Sequence, residues 1–188
     1  MAKALFFDFF GVVGCEITSI WFRHHGITSG IGEIRQELFA KMDSGEITED
    51  ENYQLLSKRV GIPAETIKEE WRSMFFVNEE LIKAIDELRK THRTYILSNA
   101  ASTYLKELIK RYDLARHFDG IYISAEMGKI KPFPEFYQHV LDDLGLEASE
   151  AVMTDDNAKN IEGAIKTGLN GIVFKNAEQY LKELSKID

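Results

Sequence analysis

Five short apolar segments constrain the fold of this 188-residue chain more than any other feature. The later ones are separated by stretches whose apolar residues recur at helical spacing. Strands that alternate with helices are typical of a parallel sheet, because each parallel strand needs a crossover connection to the next. We therefore predict an α/β fold in which helices cover both faces of a parallel sheet. The five predicted strands are Ala4 to Phe9, Arg93 to Leu97, Gly120 to Ser124, Ala151 to Thr154 and Gly171 to Phe174.

A long helical interval separates the first predicted strand from the second. Throughout it apolar residues recur at helical spacing, and no strand pattern is convincing. One helix start is explicit, because Thr48 and Glu51 have the spacing of a capping box. We predict a small helical cap over residues 15–78, inserted in a core formed by residues 1–14 and 79–188. Several aromatic residues are expected chiefly to pack inside this cap, namely Trp21, Phe22, Trp71, Phe75 and Phe76.

The balance of charged residues argues against two classes of partner. The chain has 23 Lys plus Arg against 31 Asp plus Glu, a formal net charge of −8, and no basic cluster. It therefore lacks the positive surface that attracts nucleic acids and anionic membranes. The apolar N-terminal segment is interrupted by Asp8 and is too short to span a bilayer. We expect no nucleic-acid partner, no membrane partner and no targeting signal.

The chain has a single cysteine, Cys15, which cannot form an internal disulfide. A fold without disulfides suits a reducing compartment. We therefore expect a cytoplasmic protein. We also expect it to be a monomer or a weak homodimer.

Polar residues stand at or beyond the carboxyl ends of four predicted strands. In an open α/β sheet this edge is where ligands bind, so these residues are expected to meet there. They are Asp8, the pair Ser98-Asn99, Lys131 and the pair Asp155-Asp156.

Each feature has an ordinary structural explanation when it is taken alone. Asp8 suits a turn, Ser98-Asn99 suits a helix N-cap, and Lys131 suits a solvated surface. Taken together they offer a nucleophile, an anion holder and a cation. The adjacent Asp155 and Asp156 would repel each other unless a positive charge is close, and a hard cation such as Mg²⁺ prefers such oxygen ligands. The combination favours a catalytic site over four unrelated structural features.

The residues and their order resemble the four motifs of the haloacid dehalogenase superfamily of hydrolases. The matching segments are Asp8 to Val13, Ser98-Asn99, Lys131-Pro132 and Asp155-Asp156. The resemblance covers nearly the whole chain, because the family inserts a similar small helical cap after its first strand. It implies a Rossmann-like core of three layers, α/β/α.

The resemblance implies that Asp8 is the nucleophile and forms a covalent aspartyl intermediate that water hydrolyses. In phosphatase members Mg²⁺ would be held by Asp8, by the backbone carbonyl of Phe10 and by Asp156. Asp155 would assist through a water molecule. Mg²⁺ is therefore the expected cofactor.

The resemblance also implies roles for the second and third motifs. Ser98, with Asn99 beside it, would bind the phosphoryl group, and Lys131 would neutralise charge and hold Asp8. Phe10 departs from the family pattern, since most phosphatases have there a second aspartate that protonates the leaving group. General acid–base help is worth about 10²–10⁴-fold, so its loss should matter unless another group or the substrate compensates.

Three functions fit this sequence. The first is a phosphatase of the branch that lacks the second aspartate, and the run after Asp155 resembles the sugar-1-phosphate phosphatases of that branch. A sugar anomeric oxygen leaves more easily than a simple alkoxide.

The second is a 2-haloacid dehalogenase, whose first motif has an aromatic residue where Phe10 stands, but which has serines where Asp155 and Asp156 stand. The third is a degenerate member that binds a phosphorylated ligand or a protein partner without turnover. The retained carboxylate pair favours the phosphatase.

Overall fold

A computed structural model of the chain describes residues 2–187. Within these residues five strands form one parallel sheet in the order β3-β2-β1-β4-β5. The predicted α/β fold is therefore confirmed. The strands are β1 (Ala4–Phe7), β2 (Arg93–Ser98), β3 (Gly120–Ile123), β4 (Ala151–Asp155) and β5 (Asn170–Val173).

The ends of the strands differ from the prediction by one or two residues. β1 ends at Phe7 rather than Phe9, because the chain turns as soon as the Asp8 N–H has bonded the carbonyl of Thr154. The next N–H, that of Phe9, turns back onto the Asp8 carboxylate at 2.7 Å. This turn places Asp8 at the carboxyl end of the central strand, with strands on both sides of it.

Helices account for most of the remaining residues. Five helices lie between β1 and the helix before β2: α1 (Ile17–His24), α2 (Ile31–Ile34), α3 (Ala40–Ser44), α4 (Glu49–Val60) and α5 (Ala64–Met74). A π-helical stretch, Arg35–Phe39, joins α2 to α3. The others flank the sheet: α6 (Glu79–Leu88), α7 (Ser102–Arg111), α8 (Ser124–Met127), α9 (Pro134–Leu144), α10 (Ala158–Lys166) and α11 (Ala177–Leu184).

Two apolar cores cover the two faces of the sheet. Successive side chains of a strand point to opposite faces, and β1 is buried on both. Leu5 and Phe7 pack in a core shared with α6, α7, α11 and the inserted helices. Ala4 and Phe6 pack in a second core with α9 and α10. The result is the three-layer arrangement that the apolar segments indicate.

The inserted helices follow the sequence pattern with one clear exception. The capping box is present, since Thr48 and Glu51 bond each other's backbone N–H groups at the start of α4. Phe76 was expected in the core of the cap, and this is wrong, because it is 58% exposed. The chain is extended after α5, so neighbouring side chains point to opposite sides, and Phe75 is the one turned inward, where it stacks on Phe9. The proposed cap boundaries at residues 15 and 78 stay a prediction.

Among the described residues, no helix is both long enough and apolar enough to cross a membrane.

Candidate active site

A buried lysine joins two of the predicted carboxylates at the carboxyl edge of the sheet. Lys131 Nζ lies 2.9 Å from Asp8 Oδ1 and 2.6 Å from Asp155 Oδ2. The side chains of Lys131 and Asp155 are wholly buried, and that of Asp8 is nearly so. Burial lowers the pKa of the Lys131 ammonium, but Asp155 and then Asp8 outweigh this, and the net shift is upward. The lysine is therefore charged. Because it is buried, it is not a solvated surface lysine.

Two segments that are distant from Lys131 in the sequence hold its backbone in place. The Asn99 amide bonds it twice, since Asn99 Nδ2 donates to the Lys131 carbonyl and the Lys131 N–H donates to Asn99 Oδ1, both at 2.9 Å. On the other side, helix α10 approaches Pro132 so closely that a Cβ on Gly163 would lie 2.1 Å from the Pro132 carbonyl oxygen. Only glycine fits at that position without a shift of backbone.

Several donors of the protein hold Asp155. Besides Lys131, it accepts hydrogen bonds from the Asn157 N–H at 2.9 Å and from the Asn160 side chain at 3.0 and 3.1 Å. Helix α10 is capped by Asn157 and not by an aspartate, so capping does not explain Asp155. A buried carboxylate with this many donors is fixed in place and orients Lys131.

Asp156 completes a group of three carboxylates. One oxygen from each of Asp8, Asp155 and Asp156 lies within 4.8 Å of the others. Gly11, with φ of +89°, makes room for Asp156, because a Cβ there would lie 2.3 Å from Asp156 Oδ2. Partial burial, then Asp155 and Glu16, raise the pKa of Asp156 to about 6. Burial and then Asp155 also raise the pKa of Asp8 well above its usual value, although Lys131 lowers it.

The donor set fits a hard divalent cation. Three carboxylates face one ammonium, so a divalent ion would balance the charge that Lys131 leaves uncompensated. The Phe10 carbonyl, which the family resemblance implies as a further ligand, accepts no hydrogen bond from any donor within residues 2–187. Oxygen donors of this kind are those that Mg²⁺ takes in proteins.

The second motif lies where the sequence indicates but does not cap a helix. The helix N-cap that Ser98-Asn99 suits by residue type is not formed, because α7 begins at Ser102 with Ala101 as its N-cap. The Asn99 amide is instead committed to Lys131. Ser98 Oγ is fully buried and has no hydrogen-bond partner among the described residues. An orphaned buried hydroxyl costs about 1–3 kcal/mol, so a ligand that bonds it would recover that free energy.

A cavity of about 310 Å³ lies between the carboxyl edge of the sheet and the inserted helices. The sheet side contributes Phe10, Asn99, Tyr104 and Lys131, and the inserted helices contribute the opposite wall. The Phe10 ring stacks on Tyr104, with 5.8 Å between ring centroids and 15° between planes. The position where an acid is expected is thus an aromatic wall of the cavity. Of the five aromatic residues expected in the cap core, Trp71 also lines this cavity.

Three charged residues in the opposite wall were not singled out from the sequence: Glu16, Arg35 and Asp43. None belongs to a recognisable motif, and each reaches the cavity through packing of the inserted helices on the core. The only local signal was the position of Glu16 three residues before Ser19, whose N–H it accepts as the N-cap of α1.

The fold and site together define a hydrolase with a buried aspartate–lysine pair at the edge of a parallel sheet. A family model for haloacid dehalogenase-like hydrolases matches residues 2–168. The chain therefore belongs to the haloacid dehalogenase-like hydrolases.

The individual relatives have low sequence identity to this chain. A sesquiterpene phosphatase of Aspergillus oryzae is 27% identical over 161 residues, which cover 82% of this chain and 81% of that protein. The D-ribitol-5-phosphate phosphatase of Bacteroides thetaiotaomicron is 27% identical over 163 residues, 80% of this chain and 77% of that protein. A family enzyme of B. thetaiotaomicron solved with magnesium and inorganic phosphate shares the fold, with a TM-score of 0.74, 24% identity, and coverage of 93% and 95%. Other curated relatives are longer, and the chain spans 30% of one and 21% of another.

Proposed function

We propose that this chain is a Mg²⁺-dependent phosphatase of a small phosphorylated metabolite and that it acts through a phosphorylated Asp8. The observation that carries the proposal is the group of three carboxylates around Lys131. Asp8, the Phe10 carbonyl and Asp156 would hold Mg²⁺, with Asp155 assisting through water. Bound there, Mg²⁺ supplies charge neutralisation for the phosphoryl oxygens.

The residues of the chain have distinct tasks in this proposal. One oxygen of Asp8 attacks phosphorus, and the bond from phosphorus to the leaving oxygen breaks. Lys131 holds Asp8 at 2.9 Å and offsets the charge on the phosphoryl group. The orphaned hydroxyl of Ser98 donates to a phosphoryl oxygen, while Asn99 fixes the Lys131 backbone. Water then attacks the phosphoryl group on Asp8 and releases phosphate. Catalysis is mostly positioning and electrostatics.

The carboxylates also argue against the two alternatives. A 2-haloacid dehalogenase needs no metal, and Asp155 and Asp156 without one would repel the carboxylate of a haloacid substrate. A degenerate member that binds without turnover has Phe10 as its only support. Since Asp8, Lys131 and the pair Asp155-Asp156 are assembled in one site, the phosphatase is the stronger proposal.

Two considerations support a sugar phosphate or a similar small organic phosphate as the substrate. The relatives include a D-ribitol-5-phosphate phosphatase, a phosphatase of a sugar alcohol phosphate, and a sesquiterpene phosphatase, a phosphatase of terpenoids. The cavity combines aromatic walls with charged groups, which suits a ring that stacks and also bears hydroxyls.

The test is phosphate release from a broad panel of phosphorylated metabolites, with p-nitrophenyl phosphate as a surrogate. We expect release with Mg²⁺, loss of it with EDTA, and loss of it in Asp8→Asn. A parallel arm measures halide release from 2-haloacids. Phosphate release from none of the substrates would refute the proposal, and metal-independent halide release would establish the dehalogenase instead.

We further propose that the protein works in the cytoplasm as a monomer or weak homodimer. The one cysteine, Cys15, is buried, and burial raises its pKa, so nothing in its chemistry calls for an oxidising compartment. Size-exclusion chromatography with light scattering tests the oligomeric state.

A further inference from the structure

The site described so far has no group that can protonate a leaving oxygen. Phe10 occupies the position of the family's usual acid, and its ring is packed against Phe75, Tyr104 and Phe9. Tyr104 is unsuitable because its hydroxyl donates to the Trp71 carbonyl at 3.1 Å and burial raises its pKa further. Any acid must therefore come from another wall of the cavity.

Two carboxyl groups line that cavity from the inserted helices, Glu16 and Asp43. Glu16 is fully engaged, since it accepts hydrogen bonds from Thr18 and the Ser19 N–H and pairs with Arg35. Asp43 is different, because no donor in the described part of the chain bonds its carboxyl group. Asp43 is also partly buried, and the sheet side of the cavity that it faces includes Lys131.

The backbone of Asp43 is held against the core rather than free to swing away. The Ser124 hydroxyl donates to the Asp43 carbonyl, and the same oxygen, Ser124 Oγ, accepts the Ala100 N–H at 3.0 Å. Two residues on, the chain touches the core again, because a Cβ on Gly45 would lie 2.8 Å from the Ala125 carbonyl oxygen. The inserted helix α3 therefore presents Asp43 at a fixed place beside the second and third motifs.

We propose that Asp43 is the general acid that Phe10 cannot be, an inference that rests on the proposed phosphatase function. In the first step a bond forms between Asp8 and phosphorus, the ester bond breaks, and the Asp43 proton passes to the leaving oxygen. In the second step water attacks phosphorus, the bond to Asp8 breaks, and the Asp43 carboxylate takes up a proton from that water. Atoms and charges balance over the cycle without a further reactant.

The electrostatics of the cavity agree with this role. Burial raises the pKa of Asp43 to about 7, with Lys131 acting in the opposite direction. The other charged groups lining the cavity are Glu16 and Arg35, which pair with each other. The elements packed on α3 also carry Glu37 and Glu126, which pair with Arg59 and Lys106. An acid that titrates near neutrality is matched to proton transfer in both steps.

The test is the dependence of kcat/KM on the leaving group in a series of aryl phosphates from p-nitrophenyl to phenyl phosphate. A phenol that is already acidic needs little help to leave, whereas a poorer leaving group needs a proton. In kcat/KM, which reports the steps up to phosphorylation of Asp8, we expect Asp43→Asn to slow the poorest leaving groups by up to about 10²–10⁴-fold and the p-nitrophenyl ester least. In kcat every ester should be slowed, because the second step loses its base. Asp43→Glu should restore the shallow dependence of the wild type.

Matched controls separate this inference from the function on which it rests. Asp50→Asn makes the same change on the exposed end of α4, where Asp50 pairs with Lys68, and should behave as wild type. A wild type that turns over none of the esters would refute the phosphatase itself. If the wild type is active and Asp43→Asn lowers kcat/KM by the same factor for all esters, or for none, the role of Asp43 alone is overturned. If Asp43→Asn does not fold, Asp43→Ser is measured in the same way.

A pH profile adds a readout that a purely structural role would not change. For a poor leaving group the wild-type kcat/KM should fall as the pH rises through about 7, because Asp43 then loses its proton. This descending limb should be absent from Asp43→Asn. The change in kcat/KM that comes from ionisation of the substrate's own phosphate group should remain in both proteins. Profiles of the same shape in the two proteins would contradict the proposal.

Discussion

At the scale of single residues, the site depends on Lys131. Its ammonium is the charge that allows two carboxylates, Asp8 and Asp155, to lie buried within hydrogen-bond distance of it. A buried charge without a partner is costly, whereas a buried pair with good geometry can be tolerated. Lys131 thus has a structural task that is separable from any catalytic one.

Lys131→Met should destabilise the metal-free protein strongly. Removing one partner of a buried ion pair costs about 3–5 kcal/mol in free energy of unfolding, measured here by urea denaturation in EDTA at neutral pH. The loss should shrink at acid pH, because protonation of the two carboxyls removes the uncompensated charge. Lys129→Met is the matched control, since Lys129 has no ion pair among the described residues, and it should change stability by less than about 0.5 kcal/mol. Equal losses in the two variants would contradict this account.

The same residues show how far sequence reasoning reaches. Asp8, Lys131, Asp155 and Asp156 could be predicted as one group, because parallel strands bring their carboxyl ends to one edge. The role of Asn99 as a support for Lys131 could not, since its partner lies 32 residues away in the chain. Asp43 could not be found either, because it reaches the cavity only through the packing of α3 on α8.

At the scale of elements, helix α10 packs closely on the loop that carries Lys131, because Gly163 in this helix has no side chain. Gly163 is buried in α10, and a Cβ there would lie 2.1 Å from the oxygen and 2.9 Å from the carbon of the Pro132 carbonyl. These are backbone atoms, so they cannot rotate away as a flexible side chain would. The position of the loop, and with it the direction of Lys131, depends on this close approach.

Gly163→Ala should therefore push the loop away from α10. We expect a loss of about 1–3 kcal/mol in free energy of unfolding, typical of overpacking, together with a lower kcat because Lys131 is displaced. Gly32→Ala in α2 is the control, because a Cβ on Gly32 would meet nothing within 4 Å, and alanine there should stabilise the helix by about 0.5–1 kcal/mol. A Gly163→Ala variant as stable and active as wild type would show that the loop does not need this contact.

The elements themselves were largely predictable, and the exceptions are instructive. Strands and long helices follow from local periodicity, which is why all five strands and the capping box of α4 were predicted. The late start of α7 was missed because Asn99 is committed to a distant backbone instead of capping its own helix. The outward position of Phe76 was missed because helical spacing does not extend past the end of α5.

At the scale of the whole molecule, the acidic site should make stability depend on pH and on metal. The pKa of Asp156 is raised from 3.8 to about 6, and that of Asp8 is raised as well. At these two carboxyls the native state therefore binds more protons than the unfolded state. When the native state binds more protons, the free energy of unfolding falls as pH rises.

We expect the metal-free wild type to lose stability relative to Asp156→Asn as the pH rises from about 4 to 6, because the raised pKa of Asp156 acts in the wild type only. Mg²⁺ should reverse the trend, since it binds the ionised carboxylates and stabilises the native state more at pH 7 than at pH 5. Urea denaturation in EDTA and in Mg²⁺ across this range is the measurement. A wild type that loses no stability relative to Asp156→Asn as the pH rises in EDTA, or that is not stabilised by Mg²⁺, would be inconsistent with a cation site at these carboxylates.

The measurement that tests the central claim most directly is the mass of the Asp8 peptide after rapid acid quench of a reaction with Mg²⁺ and a hydrolysed phosphomonoester. We predict a peptide heavier by one phosphoryl group in the wild type, lost when the sample is made alkaline and absent from Asp8→Asn. Release of phosphate by wild type and Asp8→Asn alike, with no phosphoryl group on Asp8, would contradict the account.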